Sequence, residues 1–404
     1  IGLSALTALT SGVGNLAIGH QALSGHTTGA RNIAIGYGAM DGTGGATVKD
    51  SNDNIMIGND AGGGTWTTNK SQSNVGIGSY VMDAAMDGAN YNVGIGFSSL
   101  SALTQGDGNT ALGNEALASV TQASRCIAIG YDAAKAITTA DRNMAIGYEA
   151  LRTEDATGER TMAIGYQALY SQNSGTSTTG NTAVGYLSGY YNVTGINNTY
   201  LGYGTATGAS GQSNSNNTGI GYKVLESITT GGSNTVVGVT AGDSITSANY
   251  NVAVGLDALG QTTTGGANVA VGYQAMEGDA DGDGADNVAI GHRAMLANVS
   301  PSKNVAIGDS AMRAMNGTAN GIAQCVAIGA NAFYGNADNT TTDTNGTIAI
   351  GYQALFSLTE GQYNTAIGYE SMIYQTDGDK NTTLGYKAFR TSDNGESDNV
   401  VIGY

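Results

Sequence analysis

The stretch NTAIGYESM at 364–372 decides the fold, because it restates NLAIGHQAL at 15–23 and returns between them as NIAIGYGAM, NVGIGFSSL, NTALGNEAL, NMAIGYEAL and NVAVGYQAM. With the glycine of the phrase as position zero, 22 copies run from Gly19 to Gly403, and IGLSAL supplies a clipped copy at Gly2. Of the 21 spacings between full copies, eleven equal 17 residues, the rest are 18 to 22, and none is shorter. A hard minimum with tolerated insertions means one structural coil per repeat, so the 404 residues form one array rather than a set of domains.

The columns of the repeat carry the chemistry. Position −1 is Ile, Val or Leu in all 22 copies (Ile18, Ile35, Ile146 and Ile367 among them), and position −4 is Asn in 18 (Asn15, Asn32, Asn92, Asn143, Asn251 and Asn364 among them). Position −2 is Ala or Gly in 17 copies, position +1 is Tyr in 12, and Ala then Leu, Met or Phe usually follow at +3 and +4. Read as a strand, the phrase alternates, with −3, −1 and +1 on one side and Ala and Gly on the other. The expectation is a strand buried on both faces, the bulky side deep and the Ala/Gly side tight against another backbone. Gly at fixed intervals beside β-branched residues and Asn-Thr clusters opposes helix. Parallel coils stacked roughly 4.8 Å apart satisfy the pattern and would make a rod roughly 100 Å long. The Asn column becomes an amide ladder along the axis, a structural rather than a ligand-binding role.

A 17-residue coil offers about six apolar positions, too few to close a core alone, so lateral association of identical chains around an axis is expected, three being the favoured number. The competing solution is a monomeric left-handed β-helix, against which the other two-thirds of each coil show no hexapeptide phase.

The repeated wording NTAIGY, then AL or SM, a turn and a return to Asn resembles the head repeats of YadA-like trimeric adhesins. The 17-residue phrase is similar, too, to repeats of bacteriophage tail-fibre proteins and related bacterial surface proteins. That resemblance covers nearly the whole chain. It implies an all-β solenoid, a left-handed parallel β-roll of about 22 coils of 17–22 residues, in a homotrimeric extracellular fibre. Adhesin-head coils are usually shorter, and a coiled-coil stalk, membrane anchor and terminal chaperone domain are not seen in this stretch.

Composition bounds partners. A net charge of −17 and a pI near 4.3 repel phosphate backbones and anionic lipid, so neither nucleic acid nor membrane insertion is expected. No apolar run approaches the roughly 18 residues of a membrane span. The chain opens on Ile1 and begins and ends inside a repeat, which reads as a processed chain or a section of a longer fibre.

Enzyme chemistry finds no support. His20 and His292 occupy the Tyr column, His26 stands apart, and no Ser-His-Asp set or paired carboxylate recurs at a stacking distance. The GTGG string at 42–45 opens no helix that could cradle phosphate. Cys126 and Cys325 both replace Asn at −4, eleven coils apart, and read as small buried substitutes rather than a redox pair. Calcium is the one cofactor suggested: Asp279, Asp281 and Asp283 before Gly284 resemble the start of a calcium loop, without its terminal Glu, and Asp377, Asp379 and Asn381 form a weaker string.

Recognition is expected in the insertions, near 41–52, 62–73, 172–180, 205–216, 277–286, 313–324 and 333–346. Trp66, Tyr190 with Tyr191, and Phe333 with Tyr334 are candidate aromatic platforms for a cell-surface glycan or protein receptor, or else loops folding back on the roll. Asn69, Asn192 and Asn316 stand in glycosylation strings that a chain rich in Asn and Thr produces by chance. The expected function is a structural and adhesive fibre exposed outside a cell or on a virion. The alternatives are a monomeric solenoid that lays a flat Thr face on ice or polysaccharide, and a filament subunit without a receptor. Insertions and scattered Thr argue against the flat face.

Overall fold

The structure, a computed structural model, describes residues 1–43, 50–155, 158–175, 178–278, 283–298, 300–313, 322–335, 344–390 and 395–404. It is all-β, a parallel solenoid with no helix among the described residues. Two compact units divide the chain, Ile1–Asn198 and Thr199–Tyr404. The first holds ten strands, β1 (Leu16–Ile18) to β10 (Thr182–Val184), and the second twelve, β11 (Thr199–Leu201) to β22 (Val400–Ile402). Within each unit every strand pairs in parallel with the next, and the register follows the repeat columns.

Insertions do not disturb that register. Ile33↔Ile55 and Val326↔Ile348 pair directly although 22 residues separate each couple. The strand columns therefore stay continuous across both insertions.

The glycine column is dictated by geometry. Gly147 has φ +138°, where side chains are strained, and a Cβ built on it lies 2.6 Å from the carbonyl carbon of Gly165 in the next coil. Two positions later the chain turns left-handed at Glu149 (φ 51°), and again at Leu151 (φ 51°). This alternation sends the Glu149 N–H back to the Tyr131 carbonyl (2.8 Å) and the Leu151 N–H forward to the Ala168 carbonyl (3.0 Å). Even the turns are therefore hydrogen-bonded to both neighbouring coils, which meets the demand that buried backbone donors be paired.

The core reverses the expected orientation of the strand. In the coil around Gly113, Ala111, Ala116, Leu117, Val120 and Ala123 are all fully buried. The −2 Ala thus faces the interior, together with the +3 Ala and the +4 Leu or Met, while −3 and −1 lie on the outer side, half-buried or exposed. The reason is size. In a coil of 17 residues, Ala or Gly at −2 leaves room for the Leu or Met at +4 that reaches across. After the two largest residues of the −2 column a glycine follows one coil later: Met56 precedes Gly76, whose Cβ would sit 2.5 Å from the Met56 Sδ, and Tyr200 precedes Gly219.

The Asn ladder forms as expected. The Asn32 Oδ1 accepts the Asn54 N–H (3.0 Å) and the Asn54 Nδ2 (3.1 Å), and the Asn32 Nδ2 donates to the Ser51 carbonyl (2.9 Å). Asn92 repeats the pattern with Asn109 and the Gly106 carbonyl. Asn15 and Asn251 serve the same column, Asn143 donates to the Gly158 carbonyl, and Asn364 donates to the Gly378 carbonyl. Cys126 and Cys325 are free and buried, each with its backbone N–H on the Asn Oδ1 of the coil before it and its Sγ near a carbonyl of the coil after it. Burial pushes both thiols up to about 11, so neither is a reactive thiolate at neutral pH.

Candidate functional site

With Ala turned inward, the −3, −1 and +1 columns form the outer face of the sheet. In four successive coils of the first unit these columns read Ile127, Met144, Met162, Thr182; Ile129, Ile146, Ile164, Val184; and Tyr131, Tyr148, Tyr166, Tyr186, without one charged residue. Ile18 is 37 % exposed, Leu112 44 % and Tyr148 43 %, whereas Ile35, Ile146 and Ile367 are half-buried. The second unit repeats the face with Ile350, Ile367 and Leu384 beside Tyr352, Tyr369 and Tyr386.

The tyrosines stack. Tyr131, Tyr148, Tyr166 and Tyr186 lie with ring centroids 5.1 to 5.3 Å apart and nearly parallel planes. Tyr352, Tyr369, Tyr386 and Tyr404 do the same. His20 stacks on Tyr37 at 5.1 Å and His292 on Tyr273 at 5.4 Å, so both histidines substitute for Tyr in the ladder. In these runs each ring stacks against the face of its neighbour in the next coil.

The predicted platforms fare differently. Trp66 is buried with its indole N–H donated to the Gly62 carbonyl (3.1 Å), and Phe333 is fully buried in the +4 column. Neither is an exposed platform; each is core, because an apolar side chain large enough to bind a ligand is large enough to fill a coil. Tyr190 and Tyr191 are half-buried, edge to face at 4.5 Å, with Tyr190 stacked on Tyr170. Arg152 lies over Tyr170, and Arg313 over Tyr334, which stacks on Phe356. These are cation–aromatic stacks along the axis rather than open rings.

Of the calcium candidates, Asp279 and Asp281 lie outside the described residues, and Asp283 accepts a hydrogen bond from Thr264. In the second string, Asn381 donates to the Glu396 carbonyl (2.7 Å), and Asp379 accepts the Gln362 N–H (2.8 Å). Among the described residues no three His, Cys, Asp or Glu side chains are grouped to hold a metal. Of the glycosylation strings, Asn192 is buried, Asn69 is exposed, and Asn316 lies outside the described residues.

Two charge clusters sit beside the face. Lys135 pairs with Glu115 and with buried Asp132 (3.2 Å), whose Oδ2 also receives Arg152 (3.2 Å), and this ties consecutive coils together. Asp41, Asp60 and Asp83 approach one another across three coils; burial, then Asp60 and Asp41, push the Asp83 carboxyl up to about 6.

Thr104, Thr121 and Thr138 occupy one fixed column at +8, but each hydroxyl is turned onto a carbonyl of the next coil, so the column is not an open Thr face. The outer face was missed from sequence because alternation marks two faces without saying which is inside. The volume of the Ala-Leu pair at +3 and +4, set against a 17-residue coil, was the available signal. Among the described residues no helix is long and apolar enough to cross a membrane. No protein-family model matches the chain, and no curated protein matches it.

Proposed function

We propose that this chain is a structural and adhesive fibre element whose copies associate side by side through the outer −3, −1 and +1 face. One observation carries the reading. The face keeps its register across the insertions within a unit, is aliphatic and aromatic for several consecutive coils, and is left half-buried or exposed by the described residues of its own chain. Uncovered apolar surface beyond a few hundred Å² marks an interaction site. Three copies around a common axis would bury these columns centrally and leave the insertions outside. Left-handed winding, an extracellular setting on a cell or virion, and receptor contact through the insertions belong to the same reading, supported by the repeat wording's resemblance to adhesin heads and tail fibres. The work of such an element is rigidity, reach and multivalent contact, with no catalytic step.

The test is native mass by light scattering, for the chain and for Ile146→Lys with Ile164→Lys. The reading expects three times 40.6 kDa for the chain and dissociation for the double variant. A monomeric wild type would refute it. The uninterrupted register also favours a second reading, a repetitive solid ligand laid along the face. A monomer that pellets with crystalline polysaccharide or halts ice growth, and loses this with Tyr148→Ala, would select that one.

A further inference from the structure

We propose that His26 is a proton-sensitive latch in the Asn ladder of the first unit, closed when its imidazole is neutral and opened when the ring takes a second proton. His26 sits between Leu23 of the core and Asn32 of the ladder, 2 % exposed. Its surroundings fix its tautomer. The Thr43 hydroxyl donates to the Met40 carbonyl (2.9 Å), so at 3.1 Å it accepts from the His26 Nδ1. At the other edge of the ring, the His26 Nε2 lies 3.1 Å from the Asn32 Nδ2, an atom that only donates. The Asn32 amide cannot turn over to help. Its Oδ1 holds the Asn54 backbone N–H, which must donate, and its Nδ2 shares its two protons among the Ser51 carbonyl, the Asn15 Oδ1 and the ring. Nε2 meets a donor, which favours its accepting and the ring being neutral.

A proton on Nε2 sets an N–H against the Asn32 NH₂. The ring packs against the backbone of Gly29, where an added Cβ would lie 2.5 Å from the His26 Cε1. Relief comes from parting the ladder at Asn32, which serves both Asn15 and Asn54. The ionisable groups nearby are few. The coil below, residues 1–14, has no ionisable side chain. On its own coil His20 stacks on Tyr37 and Arg31 pairs with Asp53. Asp41 and Asp50 stand on the next coil, and Lys49 lies outside the described residues. Burial lowers the affinity of His26 for the proton, outweighing the Gly29 carbonyl and Asp50, which favour the charged ring.

The sign follows. The unfolded chain binds this proton more tightly than the folded one, so the latch's stability is complete above the ordinary histidine value of 6.5 and is lost as pH falls through the lower folded value. Acidification therefore loosens the coil that carries the 41–52 insertion while the rest of the stack holds.

The test is hydrogen exchange by mass spectrometry on the full chain. Exchange at the histidine ring carbons gives the protonation midpoint of each histidine. Amide exchange, corrected for intrinsic rate, reports the segments 26–35 and 50–58. The expected result is a His26 midpoint below 6.5, and amide protection in both segments that falls by up to about tenfold for each pH unit between 6.5 and that midpoint and levels off below it. His26→Leu, matching the aliphatic residues of its column elsewhere, should hold its protection on acidification. A wild-type His26 midpoint at or above 6.5 would overturn the proposal even if the variant failed to fold. Equal acid loosening in His26→Leu would overturn it as well.

Discussion

Replacing the repeat glycine Gly147 with Ala isolates the constraint on which every coil depends. Two costs add. The backbone stands at φ +138°, which an L side chain adopts only with strain, about 1–3 kcal/mol. The new methyl meets backbone, the carbonyl of Gly165, so relief requires two coils to part, another 1–3 kcal/mol by analogy with overpacked cores. Gly175 supplies the control. Its φ is +61° and a Cβ there meets nothing within 4 Å, so Gly175→Ala carries only the left-handed penalty of about 1–2 kcal/mol. Urea unfolding followed by circular dichroism would measure both, with amide exchange to localise the damage. Gly147→Ala should lower the midpoint several times more than Gly175→Ala, and open the coils at Gly147 and Gly165 first. Equal costs for the two variants would refute the argument that coil-to-coil contact, rather than backbone freedom, fixes the glycine column.

Other perturbations read other layers of the structure. Asn92→Ala leaves the Asn109 N–H and the Gly106 carbonyl unmet at a cost of about 2–6 kcal/mol by urea midpoint, whereas Asn92→Cys should cost clearly less, since Cys126 fills the same column. Gly76→Ala drives a methyl against the Met56 Sδ; in a double-mutant cycle with Met56→Ala the pair should cost less than the sum of the singles, and strict additivity would dismiss the size exchange. Asp83 binds its proton more tightly folded than unfolded, so its contribution is complete below pH 3.8 and is lost as pH rises to about 6. Asp83→Asn should therefore be more stable than wild type at neutral pH, with the advantage vanishing near the unfolded value; urea titrations at several pH values would show a crossing or its absence.

The repeat itself settled the class of fold. A minimum spacing of 17 residues, an invariant aliphatic at −1, and Asn at −4 specify stacked parallel coils and an amide ladder without any coordinates, because each column needs its own copy above and below it. Cys126 and Cys325 could be placed correctly for the same reason: a column position carries its environment with it. What the sequence could not decide was direction. Strict alternation divides Val, Ile and Tyr from Ala and Gly, but hydrophobicity alone assigns the larger residues to the interior, and here volume overrules it. Only the closed coil shows that Ala111, Ala116 and Leu117 exhaust the space inside, leaving Leu112 and its column neighbours outside. The same limit hid Trp66 and Phe333, whose burial depends on how a turn folds over a neighbouring coil, and His26, whose role rests on a donor facing it from a residue six positions along. Periodicity is local and one-dimensional, so it was legible; inside and outside are properties of a closed cross-section, which exists only once the chain has come round to meet itself.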